Sequence, residues 1–180
     1  PRPRAAHSAV FWPAAESMVV FGGLGLGVEG EPRALGDTWT LVTTPASSVA
    51  SASRRWKRPM VQGGAPARRW GHAACMMGGS GSAAMLLCGG TTAPGQPLSD
   101  CWVLHVGDMR WEEVDVVPMQ LPMGRPLLPA GEALCAAGPP ELGCCTAAWS
   151  DTDQAAIIWG GEGFWVWREP EQLRWQREKS

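Results

Sequence analysis

The residues of this chain that could do chemistry come in a repeated spacing. Arg4-x-x-His7 recurs as Arg69-x-x-His72, with Cys75 three residues beyond the second histidine. A histidine and a cysteine at that interval can ligate a metal from a turn. On a strand they point to opposite faces, so a chelate would need a bulge. His7 and His72 are therefore read as satisfied structural histidines, His105 as a surface residue, and no metal or cofactor is assigned. Arg4 and Arg69 read as an ion pair or carbonyl clamp beside a strand. Asp37 and Asp100 read as acceptors of turn amides or as partners of these arginines, not as catalytic acids.

Other suggestive patterns have simpler explanations. Gly25-Leu26-Gly27-Val28-Glu29-Gly30 matches a dinucleotide fingerprint, but the next residues are Glu31-Pro32-Arg33-Ala34-Leu35-Gly36-Asp37, too broken for the helix whose N-terminus must bind pyrophosphate. The segment reads as an inter-strand loop, with Glu29 and Arg33 as candidate contact residues. Asp151 and Asp153 stand where a turn is expected. Cys75, Cys88, Cys101, Cys135, Cys144 and Cys145 lack a disulfide framework's spacing. They read as reduced, buried small residues of a cytoplasmic protein, cytoskeletal association included; the vicinal Cys144-Cys145 pair could alternatively serve redox or soft-metal chemistry.

The elements that must position these groups follow from composition. Among 180 residues, 23 Gly and 16 Pro interrupt every helical run, while 45 % hydrophobic residues supply a core. A net charge of −2 gives no electrostatic footprint for nucleic acid or an anionic membrane surface. No apolar run reaches the ~18 residues of a membrane span, and Pro13 and Glu16 break any secretory h-region, so neither is expected.

A self-repeat sets the architecture. An apolar run ending in two glycines occurs as 18–23, 85–90 and 156–161, with doublets Gly22-Gly23, Gly89-Gly90 and Gly160-Gly161. Small residues follow each Arg-x-x-His upstream. Downstream, Asp37-Thr38-Trp39 matches Asp100-Cys101-Trp102, and a lone tryptophan recurs as Trp56, Trp111 and Trp175. The third copy keeps Trp167 but lacks the Arg, His and Asp. Each copy amounts to short extended segments bounded by turn residues, which are strands by length and punctuation.

This order of elements resembles the kelch repeat. The resemblance implies an all-β, kelch-type β-propeller with about three four-stranded antiparallel blades, part of a larger closed propeller completed by the same or another chain. Blade 1 covers 1–65 with an inserted loop at 43–54, blade 2 covers 66–116, a Pro/Gly-rich insertion 117–138, and a degenerate blade 3 139–180. The glycine doublets are then packing turns, and Trp39, Trp56, Trp102, Trp111, Trp167 and Trp175 fill the seams between blades. The expected function is a protein-interaction scaffold that binds through loops 24–36 and 91–99 and linkers 57–65 and 113–138. The resemblance also implies a second reading of Arg4 and Arg69, as guanidinium forks at the channel mouth that hold a partner's carboxylate, with Arg125, in Pro122-x-x-Arg125, assigned to the same face. Alternatives that the resemblance carries are a substrate-receptor module of a ubiquitin ligase, which needs an appended domain, and a channel-mouth sugar or small-molecule enzyme. The copper and tyrosine chemistry of the galactose oxidase group is unavailable to a chain with no Tyr.

Overall fold

A computed structural model describes residues 1–44, 53–78, 83–114, 145–152, 155–160 and 163–168. Eleven strands in three antiparallel sheets account for nearly all regular structure among these residues, with one 3-10 turn (Pro13–Ala15). The first sheet has the order β1 (Ser8–Trp12), β2 (Ser17–Leu26), β3 (Pro32–Thr44), β4 (Ser53–Lys57). The second repeats it with β5 (Ala73–Met77), β6 (Ala84–Cys88), β7 (Cys101–His105), β8 (Arg110–Val114). The third pairs β9 (Cys145–Ser150), β10 (Ala155–Gly160) and β11 (Gly163–Arg168) in that order.

Burial explains why these segments are strands. In β1 and β5 alternate residues are buried, Ser8 and Val10 in one, Ala73, Cys75 and Met77 in the other. In β6 every residue from Ala84 to Cys88 is buried, because the strand is covered on both faces by neighbouring sheets. The first strand of each sheet lies beside the first strand of the next, β1 by β5 and β5 by β9. The sheets thus stack face to face as successive blades do.

Two apolar seams result. Between the first and second sheets, Val10, Val19 and Phe21 meet Met85, Leu87, Leu104 and Trp111. Phe21 stands edge-on to both His72 and Trp111, with ring centroids 5.6 and 5.1 Å apart. Between the second and third, Cys75, Leu86, Cys88, Cys101 and Val103 meet Ala156 and Ile158. Cys75, Cys88 and Cys101 are the small buried residues that their apolar neighbours in sequence suggest, and burial pushes the Cys75 thiol up to about 12.

The structure corrects some boundaries. Thr43 and Thr44 pair with Arg54 and Ser53, so β3 and β4 run into what the sequence presents as a loop at 43–54. Residues 24–26 and 32–36 likewise belong to strands, which turns the expected loop 24–36 into a long hairpin whose turn spans 27–31. The insertion 117–138, with Arg125, and the fourth segment around Trp175 lie outside the described residues.

Candidate interaction face

Antiparallel alternation puts the β2–β3 and β6–β7 connections at one end of their sheets. The glycine doublets stand there too, as do the arginines that lead into β1 and β5. At Gly23 the backbone has φ +104°, and a Cβ would sit 2.8 Å from the His7 Cβ; at Gly90, φ is +93° and the same clash would fall on the His72 Cβ at 2.8 Å. Only glycine brings the doublet this close to the chain entering the first strand.

The arginines are held by the same turn. Arg4 donates to both carboxylate oxygens of Asp37 at 2.7 and 3.0 Å and to the Gly22 carbonyl at 3.0 Å. Arg69 repeats this on Asp100, at 2.6 Å to each oxygen, and on the Gly89 carbonyl at 2.9 Å. The indole N–H groups of Trp39 and Trp102 complete each carboxylate. Burial pushes Asp37 up, but the hydrogen bonds from Arg4 and Trp39 and the charge of Arg4 outweigh it and hold the carboxyl at about 2. Asp100 is lowered in the same way, the hydrogen bonds from Arg69 and Trp102 and the charge of Arg69 outweighing its burial.

This geometry decides between the two arginine readings. The Arg69 side chain is 0 % exposed and that of Arg4 5 %, and both forks are filled by their own sheet. They are clamps, and the expectation that Arg4 and Arg69 bind a partner's acid is corrected: a buried fork already bound on two sides has no edge left to offer.

His72 is buried, and its Nε2 lies 2.8 Å from the Ser8 hydroxyl across the first seam. Its Nδ1 is buried without a well-formed hydrogen bond. Burial, with Arg69 and His7 adding positive charge, pulls its pKa to about 4, against a smaller opposing pull from the Phe21 carbonyl. His7, expected to be structural in the same way, is exposed. Its Cβ lies close to Gly23, but among the described residues no sheet covers it. His105 lies at the end of β7, 3.2 Å from Glu112. Asp151 follows β9 in a turn and accepts from the Trp149 indole at 3.0 Å, as turn chemistry suggests.

The tryptophans divide. Trp111 is 2 % exposed in the first seam, and its indole N–H reaches the Thr38 hydroxyl at 3.4 Å. Trp39 and Trp102 are half-buried and bound to their aspartates, while Trp56 is 38 % exposed, which corrects its placement as a filler between blades within this chain. Trp167 pairs with Ala156 in β11, and Gly160 ends β10; Gly161 lies outside the described residues.

What remains open at this end is the first sheet's hairpin. Leu26 is 65 % exposed and Val28 94 %, beside exposed Glu29, Glu31 and Arg33. Its turn closes through Gly27 N–H to the Glu31 carbonyl at 2.8 Å. The second sheet's connection is tied down more tightly, the Thr91 hydroxyl donating to the carbonyls of Ala93 and Gln96. The linker expected to bind at 57–65 is partly committed to the fold: Gln62 pairs beside Arg110 and Val61 packs on the first seam, leaving Met60 exposed. Among the described residues no group of three acids, histidines or cysteines is placed to hold a metal, and no helix is long and apolar enough to cross a membrane.

The profile of the KLHDC2/KLHL20/DRC7 Kelch-repeats domain matches residues 1–137. This chain belongs to the kelch-repeat family. The kelch match spans both Arg-Asp-Trp clamps and stops short of the third sheet, where the clamp residues are missing. Kelch-repeat domains are in general interaction propellers without catalysis. No curated protein matches the kelch chain significantly.

Proposed function

We propose that this kelch chain is a protein-interaction scaffold working within a longer chain or a multi-chain assembly, and that it binds through the connections at the glycine-doublet end. The observation that carries this reading is the β2–β3 hairpin, which holds Leu26 and Val28 in solvent on a strand-paired stem. An exposed apolar tip on a rigid framework is a usual form of recognition element. The clamps support it as well, since the charged groups nearest the doublets neutralise one another rather than face a substrate. Buried thiols at Cys75, Cys88 and Cys101 suit a reducing, cytoplasmic setting.

The test is capture of binding proteins by the immobilised chain, compared with a Leu26→Glu/Val28→Glu double variant and with Arg33→Ala. The hairpin variant is expected to lose the captured set while its thermal unfolding matches the parent's. An unchanged set would remove the hairpin from the binding face.

A further inference from the structure

Two cysteines face each other in the second sheet. Register sets Cys88 of β6 directly opposite Cys101 of β7, and both are buried thiols, 1 % exposed. No other register pair among the described residues joins two cysteines. The repeat does not require them, because at the same place the first sheet has Phe21 opposite Thr38 and the third Trp159 opposite Phe164.

In an antiparallel ladder, hydrogen-bonded pairs alternate with non-bonded pairs whose side chains stand closer. The Gly89 N–H donates to the Asp100 carbonyl at 3.0 Å, and at the far end of the two strands the Val106 N–H donates to the Ala83 carbonyl. Counting inward from either bond makes Cys88 and Cys101 a non-bonded pair. Such pairs hold their Cα atoms about 4.5 Å apart, inside the range of about 4.4 to 6.8 Å that a disulfide spans. Both side chains point into the second seam, where they share one apolar cluster. Cys75 belongs to that cluster too, but it stands opposite Leu86, two residues from the Ala73 that faces Cys88. A diagonal of that kind is about 7–8 Å in sheets, too long for a disulfide, and burial pushes the Cys75 thiol up to about 12.

The Arg69 clamp ties the two strands together at this point. Its guanidinium bonds the Gly89 carbonyl next to Cys88 and both carboxylate oxygens of Asp100 next to Cys101. The spacing of the thiols is therefore held by polar contacts beside them.

We propose that Cys88 and Cys101 are a redox-sensitive thiol pair, which a small-molecule disulfide converts to a cross-strand disulfide that closes the 89–100 connection into a loop. One cysteine, as its thiolate, attacks the external disulfide and forms a mixed disulfide, releasing one small thiol. The second cysteine then displaces the remaining half. The protein gives up two electrons and two protons, and the external disulfide becomes two thiols. Both sulfurs are packed with Ala156 and Ile158, so exchange needs a local parting of the second seam and is slow in the folded chain. That the bond controls binding by fixing this connection rests on the scaffold reading; the bond itself does not.

The test is equilibration of the full chain in glutathione buffers of rising disulfide content, followed by alkylation and cleavage before Asp100, which separates the two cysteines unless a bond joins them. The peptide that begins at Asp100 is expected to stay attached to the one carrying Cys88, in Cys75→Ala as in the parent, and to come away in Cys88→Ala and Cys101→Ala. Should those two variants fail to fold, fragmentation of the linked parent peptides assigns the bond. Closing a loop of this length is expected to lower the unfolding equilibrium constant on the order of a hundredfold, and reduction to restore it. None of these readouts involves a binding partner, so failure of the scaffold reading leaves them unchanged. A pair that stays alkylatable in disulfide-rich buffer would overturn the proposal. So would a bond from Cys101 to Cys75, a reaction that stops at the mixed disulfide, closure only in urea that unfolds the chain, or an oxidised form less stable than the reduced one.

Discussion

Arg69 shows how much one residue's role depends on its surroundings. It is fully buried, bidentate on Asp100 and bonded to the Gly89 carbonyl. Removing it leaves a carboxylate and a carbonyl unpaired, so Arg69→Ala is expected to lower unfolding free energy by about 3 kcal/mol, with Arg33→Ala on the exposed hairpin within about 0.5 kcal/mol, both measured by urea denaturation. His72 makes the seam sensitive to acid. Its pKa is about 4 in the fold against 6.5 when exposed, so between these values the unfolded chain binds the extra proton. Stability is then expected to be complete above pH 6.5 and to fall as pH drops towards 4, by on the order of 3 kcal/mol, levelling below that. Asp37 adds a further loss from 3.8 towards about 2, since its lowered carboxyl stabilises the fold only while ionised. A His72→Gln variant should flatten the upper part of the pH profile; an unchanged slope would remove His72 as its source. The Arg-Asp pairing was legible from a spacing that occurs twice. The difference between His7 and His72 was not, because both stand three residues after the arginine of their repeat and, among the described residues, only one has a sheet in front of it.

At the scale of elements, the glycine doublets are the least replaceable positions. Gly90→Ala places a Cβ 2.8 Å from the His72 Cβ and 2.9 Å from the Trp70 carbonyl at a positive φ, and is expected to cost about 3 kcal/mol or more. Gly95 also has positive φ, +72°, but nothing within 4 Å of a Cβ, so Gly95→Ala is expected to cost only about 1 kcal/mol for the left-handed backbone. Thermal melts of the two variants measure the contrast, and equal losses would mean that packing at the doublet is not the cause. Strand count and order in the first two sheets were readable from short apolar runs and their punctuation. The long β2–β3 hairpin was not. Gly25 and Gly27 look like loop residues, yet Ala5 pairs with Leu24, and β3 pairs with β2 out to Leu26, so hydrogen bonding carries the strand past the doublet.

Over the whole molecule, equivalent register rows differ in exposure: Met85, Leu104 and Trp111 are buried in the second sheet, whereas Phe11 and Trp56, at the two ends of the row through Met18 and Leu41, are exposed in the first. Sequence alone determined that the chain is built of repeated sheets, that the doublets turn it and that Arg, Asp and Trp recur together, because these depend on spacing, and spacing is preserved within each copy. Tertiary structure decided that both clamps are sealed, which histidine is buried and which tryptophan meets water. Those properties belong to the space between sheets, where Trp111 has Phe21 and Thr38 against it and Trp56 lies partly exposed. A repeat writes the same face into every copy, and only the stacking of copies determines which of those faces stays in contact with solvent.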